Sequence, residues 1–155
     1  MAARKPFDAD EIIEALDTEA GEDIQSTAIA VLSAVIVATP VGDPKIWQYP
    51  PKKSGYVGGH ARRNWAVSTA RPIDQIRGKP GKGPGASGAT SQALNQGKKR
   101  IESYSVQSKR IYIQNNVPYA VRLNEGHSTQ APANFVETAV MAGRNVGRND
   151  RKELP

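Results

Sequence analysis

The sequence predicts an α+β domain: a long N-terminal helix packed on a small antiparallel sheet, with a second helix and short C-terminal helices. Three observations predict it. Apolar or small residues recur every three or four positions from Ile13 to Val35, which draws one helical stripe. Two short segments, 64–70 and 109–115, alternate side chains with the period of two that a half-buried strand needs. Pro118, Gly126 and Pro132 punctuate the C-terminal third into short helical pieces. A chain of 155 residues fits one domain around one core.

The first helix is expected to start at Asp8. Its carboxylate can cap free amides, Glu11 completes a capping box, and Phe7 with Ile12 can form a hydrophobic staple. Ile13, Leu16, Ala20, Ile24, Thr27, Val31 and Val35 form the expected core stripe. Gly21 interrupts it at a cost near 1 kcal/mol and permits a bend. Pro40 ends the helix. At about 30 residues it would be roughly 45 Å long. That exceeds what a domain of this size needs, so part of it is expected to pack on another subunit.

Residues 40–61 read as a long loop, in which Trp47 and Tyr49 need a surface to cover. In the strand at 64–70, Trp65, Val67 and Thr69 share the buried face, with Asn64, Ala66 and Ser68 opposite. Residues 71–89, rich in Gly, Pro and Lys, read as a second long loop with no means of building a core. A second helix over 90–104 turns Leu94, Ile101 and Tyr104 inward and Lys98, Lys99 and Arg100 mostly outward. In the strand at 109–115, Ile111 and Ile113 face the core. Pro118 opens a short helix and Gly126 stops it in a left-handed conformation. The last helix is expected over 133–142, with Asn134 and Glu137 as its capping box. Residues 1–142 therefore form the domain, and 143–155 a flexible tail.

Composition narrows the function. Gly 14 and Pro 11, with 38% hydrophobic residues, suit a compact core carrying long loops. No cysteine is present, so disulfides and thiolate chemistry are excluded. No apolar run approaches the roughly 20 residues of a bilayer span, and the start lacks the apolar core of a signal peptide. The expected location is the cytoplasm until assembly. Residues 1–39 hold two basic and eight acidic side chains, against nineteen basic and seven acidic in 40–155. Such asymmetry points to an acidic partner or to head-to-tail contacts between copies, or else to a solvated acidic helix face beside basic loops.

The residue types able to do chemistry do not fall into catalytic patterns. Asp10, Glu11, Glu14, Asp17 and Glu22 lie on an exposed helix face and read as a solvated or subunit-facing surface. His60 and His127 have no second histidine or cysteine at ligand spacing, and Ser128 and Thr129 beside His127 lack a triad's context. The stretch Gly78 to Gly85 lacks the Gly-Lys-Ser/Thr ending of a phosphate loop. It reads either as a solvated linker or as a mobile basic arm whose Arg77, Lys79 and Lys82 touch DNA or an acidic partner. Arg62-Arg63, Lys98-Lys99-Arg100 and Lys109-Arg110 favour non-specific phosphate contact, without a helix-turn-helix or zinc signature. The expectation is a non-enzyme with no cofactor and no metal.

One ordered set of segments remains. Thr39-Pro40-Val41 follows the long helix. Tyr119-Ala120 leads to Glu125-Gly126, and Gln130-Ala131-Pro132 leads into the last helix. Over positions 10–142 this order resembles the tail-completion, or head–tail joining, proteins of tailed bacteriophages. In that family a basic segment entering a strand follows Thr-Pro-Val closely. Gly58 to Trp65 resembles it here, and residues 42–57 look like an insertion. The resemblance implies the same α+β fold and a structural role in the virion neck. It implies a hexameric ring that joins the tail to the head connector and lets genomic DNA pass. Its implied partners are further copies of itself, a tail terminator or tail tube protein, the connector proteins, and DNA non-specifically, with no membrane. A tail terminator or other neck adaptor of related fold, and a cytoplasmic DNA-binding accessory protein, are the alternatives. On the short helix Tyr119 and Leu123, four apart, should pack inward, leaving Arg122, Asn124 and Glu125 to face a neighbour. Tyr119 with Trp47 and Tyr49 completes the candidate interface.

Overall fold

The computed structural model describes residues 9–52 and 55–149. Helix α1 spans Ala9–Ala38, followed by a 3-10 turn at Pro44–Ile46 and the short helix α2, His60–Arg63. Strand β1 (Trp65–Ser68) precedes helix α3 (Gly85–Glu102), and a second 3-10 turn at Val106–Ser108 precedes strand β2 (Tyr112–Asn115). Helices α4 (Ala120–Asn124) and α5 (Phe135–Asn149) complete the chain. β1 and β2 pair antiparallel, with Trp65 opposite Asn115 and Ser68 opposite Tyr112. The long helix lies on this small sheet with α3 and α5 beside it, an α+β arrangement as the sequence predicts.

The core is built on the second half of α1. Leu32, Val35 and Ile36 are sealed from solvent and meet Trp65, Val67, Ala93, Ile101 and Ala139. Ile111 and Ile113 pack against the same cluster, as their alternation predicts. The expected stripe on α1 is corrected by the structure. Val35 is buried, but Ile13, Leu16 and Ile24 are 56%, 59% and 40% exposed. The true stripe runs through Ala28, Leu32, Val35, Ile36 and Thr39. Its phase is set by where α3 and α5 lie, and residues 12–20 are exposed among the described residues. The capping residues proposed at Phe7 and Asp8 lie outside the described residues, and Glu11's side chain is likewise undescribed. The 27 residues Ile12–Ala38 are long and apolar enough, by length and composition alone, to cross a membrane, which the sequence reading missed. Their apolar second half supplies the core just described.

Small residues explain three further differences. α3 starts at Gly85, inside the stretch expected to be a linker, because Ala89, Ala93 and Gly97 form a buried strip under α1 and β1. A Cβ on Gly97 would collide with Leu32 and crowd Val67, so the absent side chain is what lets α1 sit this low. α5 runs to Asn149, where a tail was expected from 143. Gly143 and Gly147 are buried there, and a Cβ on Gly143 would lie 2.5 Å from the Val31 Cα. The two helices thus meet backbone to backbone. β1 is covered on both faces, not one: Ala66 is as buried as Val67. Gln114, opposite Ala66, bonds both the amide and the carbonyl of Ile73, so residues 71–77 cross that second face.

Gly143→Ala raises helix propensity yet should destabilise the fold by about 1–3 kcal/mol, since the new methyl meets backbone that cannot rotate away. Urea denaturation of the two proteins measures it. Phe135, 5% exposed at the start of α5, should cost about 3–5 kcal/mol as Phe135→Ala in the same assay.

Candidate functional site

The described surface is deepest in aromatic lining where residues 40–61 face α4 and the turn after it. Pro40, Trp47, Tyr49, Tyr56, His60 and Tyr119 line a groove of about 670 Å³ there. Each wall is held by backbone-directed bonds. Asp43 caps the first 3-10 turn by accepting from the Lys45 amide at 3.0 Å. Trp47 stands edge-on to Tyr56 with ring centroids 4.9 Å apart. The Gln130 amide donates to the Val41 carbonyl at 2.8 Å and ties the far wall to the near one.

A polar framework fixes the floor. The Thr39 hydroxyl donates to the Val35 carbonyl at 2.6 Å and accepts from the Trp65 indole at 2.7 Å. Arg62 donates to the Thr39 carbonyl from both Nε (3.1 Å) and Nη2 (2.8 Å), and to the Val37 carbonyl at 3.0 Å. Two of the last carbonyls of α1, which a helix leaves open, those of Val35 and Val37, are satisfied in this way. Asn115 Nδ2 donates to the Ala61 carbonyl at 2.8 Å and locks β2 to α2.

At the base of the groove the Tyr119 hydroxyl lies 2.7 Å from His60 Nδ1, and His60 Nε2 lies 3.3 Å from the Gly78 carbonyl. Burial, with Tyr56 nearby, pushes the Tyr119 phenol up to about 12. It therefore keeps its proton and donates to Nδ1, leaving Nε2–H to donate to Gly78. Both ring nitrogens are engaged in the neutral form. Burial chiefly, and the Arg63 charge, lower the His60 pKa, against the Gly78 bond. Arg63 is itself buried: Nη2 donates to the Lys79 carbonyl at 3.0 Å, and Nε has no partner.

The candidate residues separate accordingly. Trp47, Tyr49 and Tyr119 come together in the groove, Tyr49 at its rim with 83% of its surface exposed. Arg122 and Glu125 are exposed on α4 and its end, Glu125 lying 3.8 Å from His127 Nε2. Asn124 is corrected: it is not free to meet a neighbour. Its Oδ1 accepts from the Val136 amide at 2.9 Å, and its Nδ2 donates to both Glu137 oxygens at 3.0 and 2.8 Å. Asn124 thereby caps α5, the task expected of Asn134, whose φ of 60° carries the chain into the helix. The bond from Asn124 also holds the Glu137 carboxyl below its usual range.

Arg77 is corrected as well. Its Nη1 donates to the Arg63 and Trp65 carbonyls, and its amide donates to Asn64 Oδ1 at 2.6 Å. It fastens the 71–85 segment to the body, so the basic arm is not a free arm at that point. Lys79 and Lys82 are exposed. Tyr56, His60, Arg63 and Asn64 were missed as site residues; the paired arginines after Gly58-Gly59 were their one visible signal.

Gly126, with φ of 87°, stops α4 as predicted. Among the described residues no group of three or more His, Asp or Glu is placed to hold a metal ion. Protein-family models, curated proteins and solved structures contain no match to this chain. The groove offers an aromatic surface with one exposed phenol, Tyr49, at its edge.

His60 gives the fold an acid sensitivity with a definite sign. Its folded pKa is lowered, so the unfolded chain takes the proton first. Its contribution is complete above about pH 6.5 and is lost as the pH falls below that value. Thermal melts between about pH 7 and pH 5 should show the decline, and His60→Gln should flatten it. Asn124→Ala should cost about 1–2 kcal/mol by uncapping α5, read by urea denaturation.

Proposed function

We propose that this protein is a structural component of a tailed-phage neck. In this reading it is a tail-completion subunit that assembles as a hexameric ring, joins the tail to the head connector, and leaves a channel for DNA. The observation that carries the reading is a convergence. Thr39-Pro40-Val41 and the segment from Tyr119 to Pro132 hold the residues by which the chain resembles that family. The Gln130–Val41 bond and the shared groove bring these two distant segments onto one face. Two further features suit a ring. Residues 1–39 are acidic and the remainder basic, and the first turns of α1 stand clear of the core with Ile12, Ile13 and Leu16 exposed. A head-to-tail interface that closes on itself uses both.

In this role the protein works by contact, and its location is the virion after assembly in the host bacterial cytoplasm. Arg122 and Glu125 present charge next to the groove without fastening the fold, which suits them to a partner's surface. Removal of the gene should leave DNA-filled heads and separate tails, visible in electron micrographs of the lysate. Normal joined virions, or heads without any tails, would end the reading. Charge reversal at Arg122 or Glu125 should lower the yield of joined particles while leaving the unfolding free energy from urea denaturation within about 0.5 kcal/mol of wild type.

A further inference from the structure

A second groove, of about 840 Å³, lies on a different face, between the 67–77 crossing and the outer side of α3. Val67 and Ile73 give it an apolar floor, and Ala70, Arg71, Lys99 and Arg100 stand exposed at its rim. Among the described residues no carboxylate pairs with these three cations.

The first turns of α1 have the complementary pattern. Residues 12–20 are exposed; Ile13, Glu14, Asp17 and Thr18 border an open groove against residues 104–107, and Ile12 and Leu16 lie outside it. Ile12, Ile13, Leu16 and Ala20 fall within about a third of the helix circumference, and Asp17 and Glu19 flank that stripe on its two sides. An apolar ridge edged by carboxylates matches an apolar floor edged by cations. The residues from Ala9 to Ala20 extend about 18 Å, long enough to lie along the exposed α3 face formed by Gln96, Lys99, Arg100 and Ser103.

We propose that the acidic first three turns of α1 from one copy dock in the basic groove beside α3 of the next copy. The contact is heterologous: ridge and groove are different surfaces, so each copy offers both and copies link head to tail. The proposal rests on the ring reading above only for closure of the chain of copies. It deepens that reading by naming both surfaces.

The natural absence of cysteine allows a direct test. Full-length Leu16→Cys and Ala70→Cys proteins are mixed at high concentration under mild oxidation. Thr138→Cys, exposed on α5, replaces Ala70→Cys as the control. The Leu16–Ala70 disulfide should form about tenfold faster than the Leu16–Thr138 one. Adding Asp17→Lys and Glu19→Lys to the Leu16→Cys protein should abolish the preference. Pairing that protein with an Ala70→Cys partner carrying Lys99→Glu and Arg100→Glu should restore it. Equal rates with Ala70 and Thr138, or no restoration by the paired reversal, would overturn the proposal. So would duplex DNA binding that depends on Lys99 and Arg100 without any Leu16–Ala70 disulfide, which would give the groove to nucleic acid. A failed cross-link leaves the joining role to the null-mutant lysate, and joined virions in that lysate leave the docking standing.

Discussion

The fold depends on two backbones coming closer than side chains allow. Where α5 crosses α1, Gly143 sits against the backbone of Val31, and Gly147 against Thr27. That approach brings Ala139, with Val136 and Val140 beside it, down onto the core that Leu32, Val35 and Ile36 present. On the other flank Gly97 lets α3 nest under Leu32 in the same way. Three missing side chains therefore set the height of two helices over the sheet. The tolerance at such contacts is a few tenths of an ångström, since packed interiors have no free volume to absorb a methyl group.

Polar side chains then do at the helix ends what small residues do at the crossings. Thr39 and Arg62 close the end of α1, and Asn124 opens α5 from the neighbouring short helix. Asn64 and Arg77 stitch the glycine-rich crossing to the start of β1. Apart from the local Thr39–Val35 bond, these come from residues 12 or more positions away, so the body fixes much of the loop structure alongside local turn chemistry such as the Asp43 cap. The aromatic groove inherits its rigidity from this framework, because both of its walls end on fastened residues.

The parts legible in the sequence were those with local causes. Pro40 ending the long helix, Gly126 ending the short one, and Ile111 and Ile113 facing inward each follow from one residue's chemistry or a period of two. The starts and ends that rest on tertiary contact were not legible. Gly85 to Ala89 and Gly143 to Gly147 read as breakers, since glycine is unfavourable in an isolated helix, and only the partner helix reveals why glycine belongs there. The phase of α1 was misread because apolar residues occupy nearly every face between Ile24 and Val37, so periodicity alone could not choose one. At the groove, Trp47, Tyr49 and Tyr119 stood out by type. His60 did not, because its partners, Tyr119 and Gly78, are brought to it only by the fold.

The pairing of α1 with α5 joins the first long element made to the last one. On the ribosome the N-terminal helix emerges bare; β1 and α3 can cover Leu32, Val35 and Ile36 as they are made, but α5, which packs along Thr27 and Val31, is translated last. Contacts of such sequence separation close late and slowly, after a large loss of chain entropy. During that interval the nascent chain carries a partly uncovered apolar helix, the kind of segment that chaperones bind and that aggregates if they do not. A shortened chain ending before Phe135 would leave the side of α1 that Gly143 and Gly147 cover, around Thr27 and Val31, permanently open to solvent.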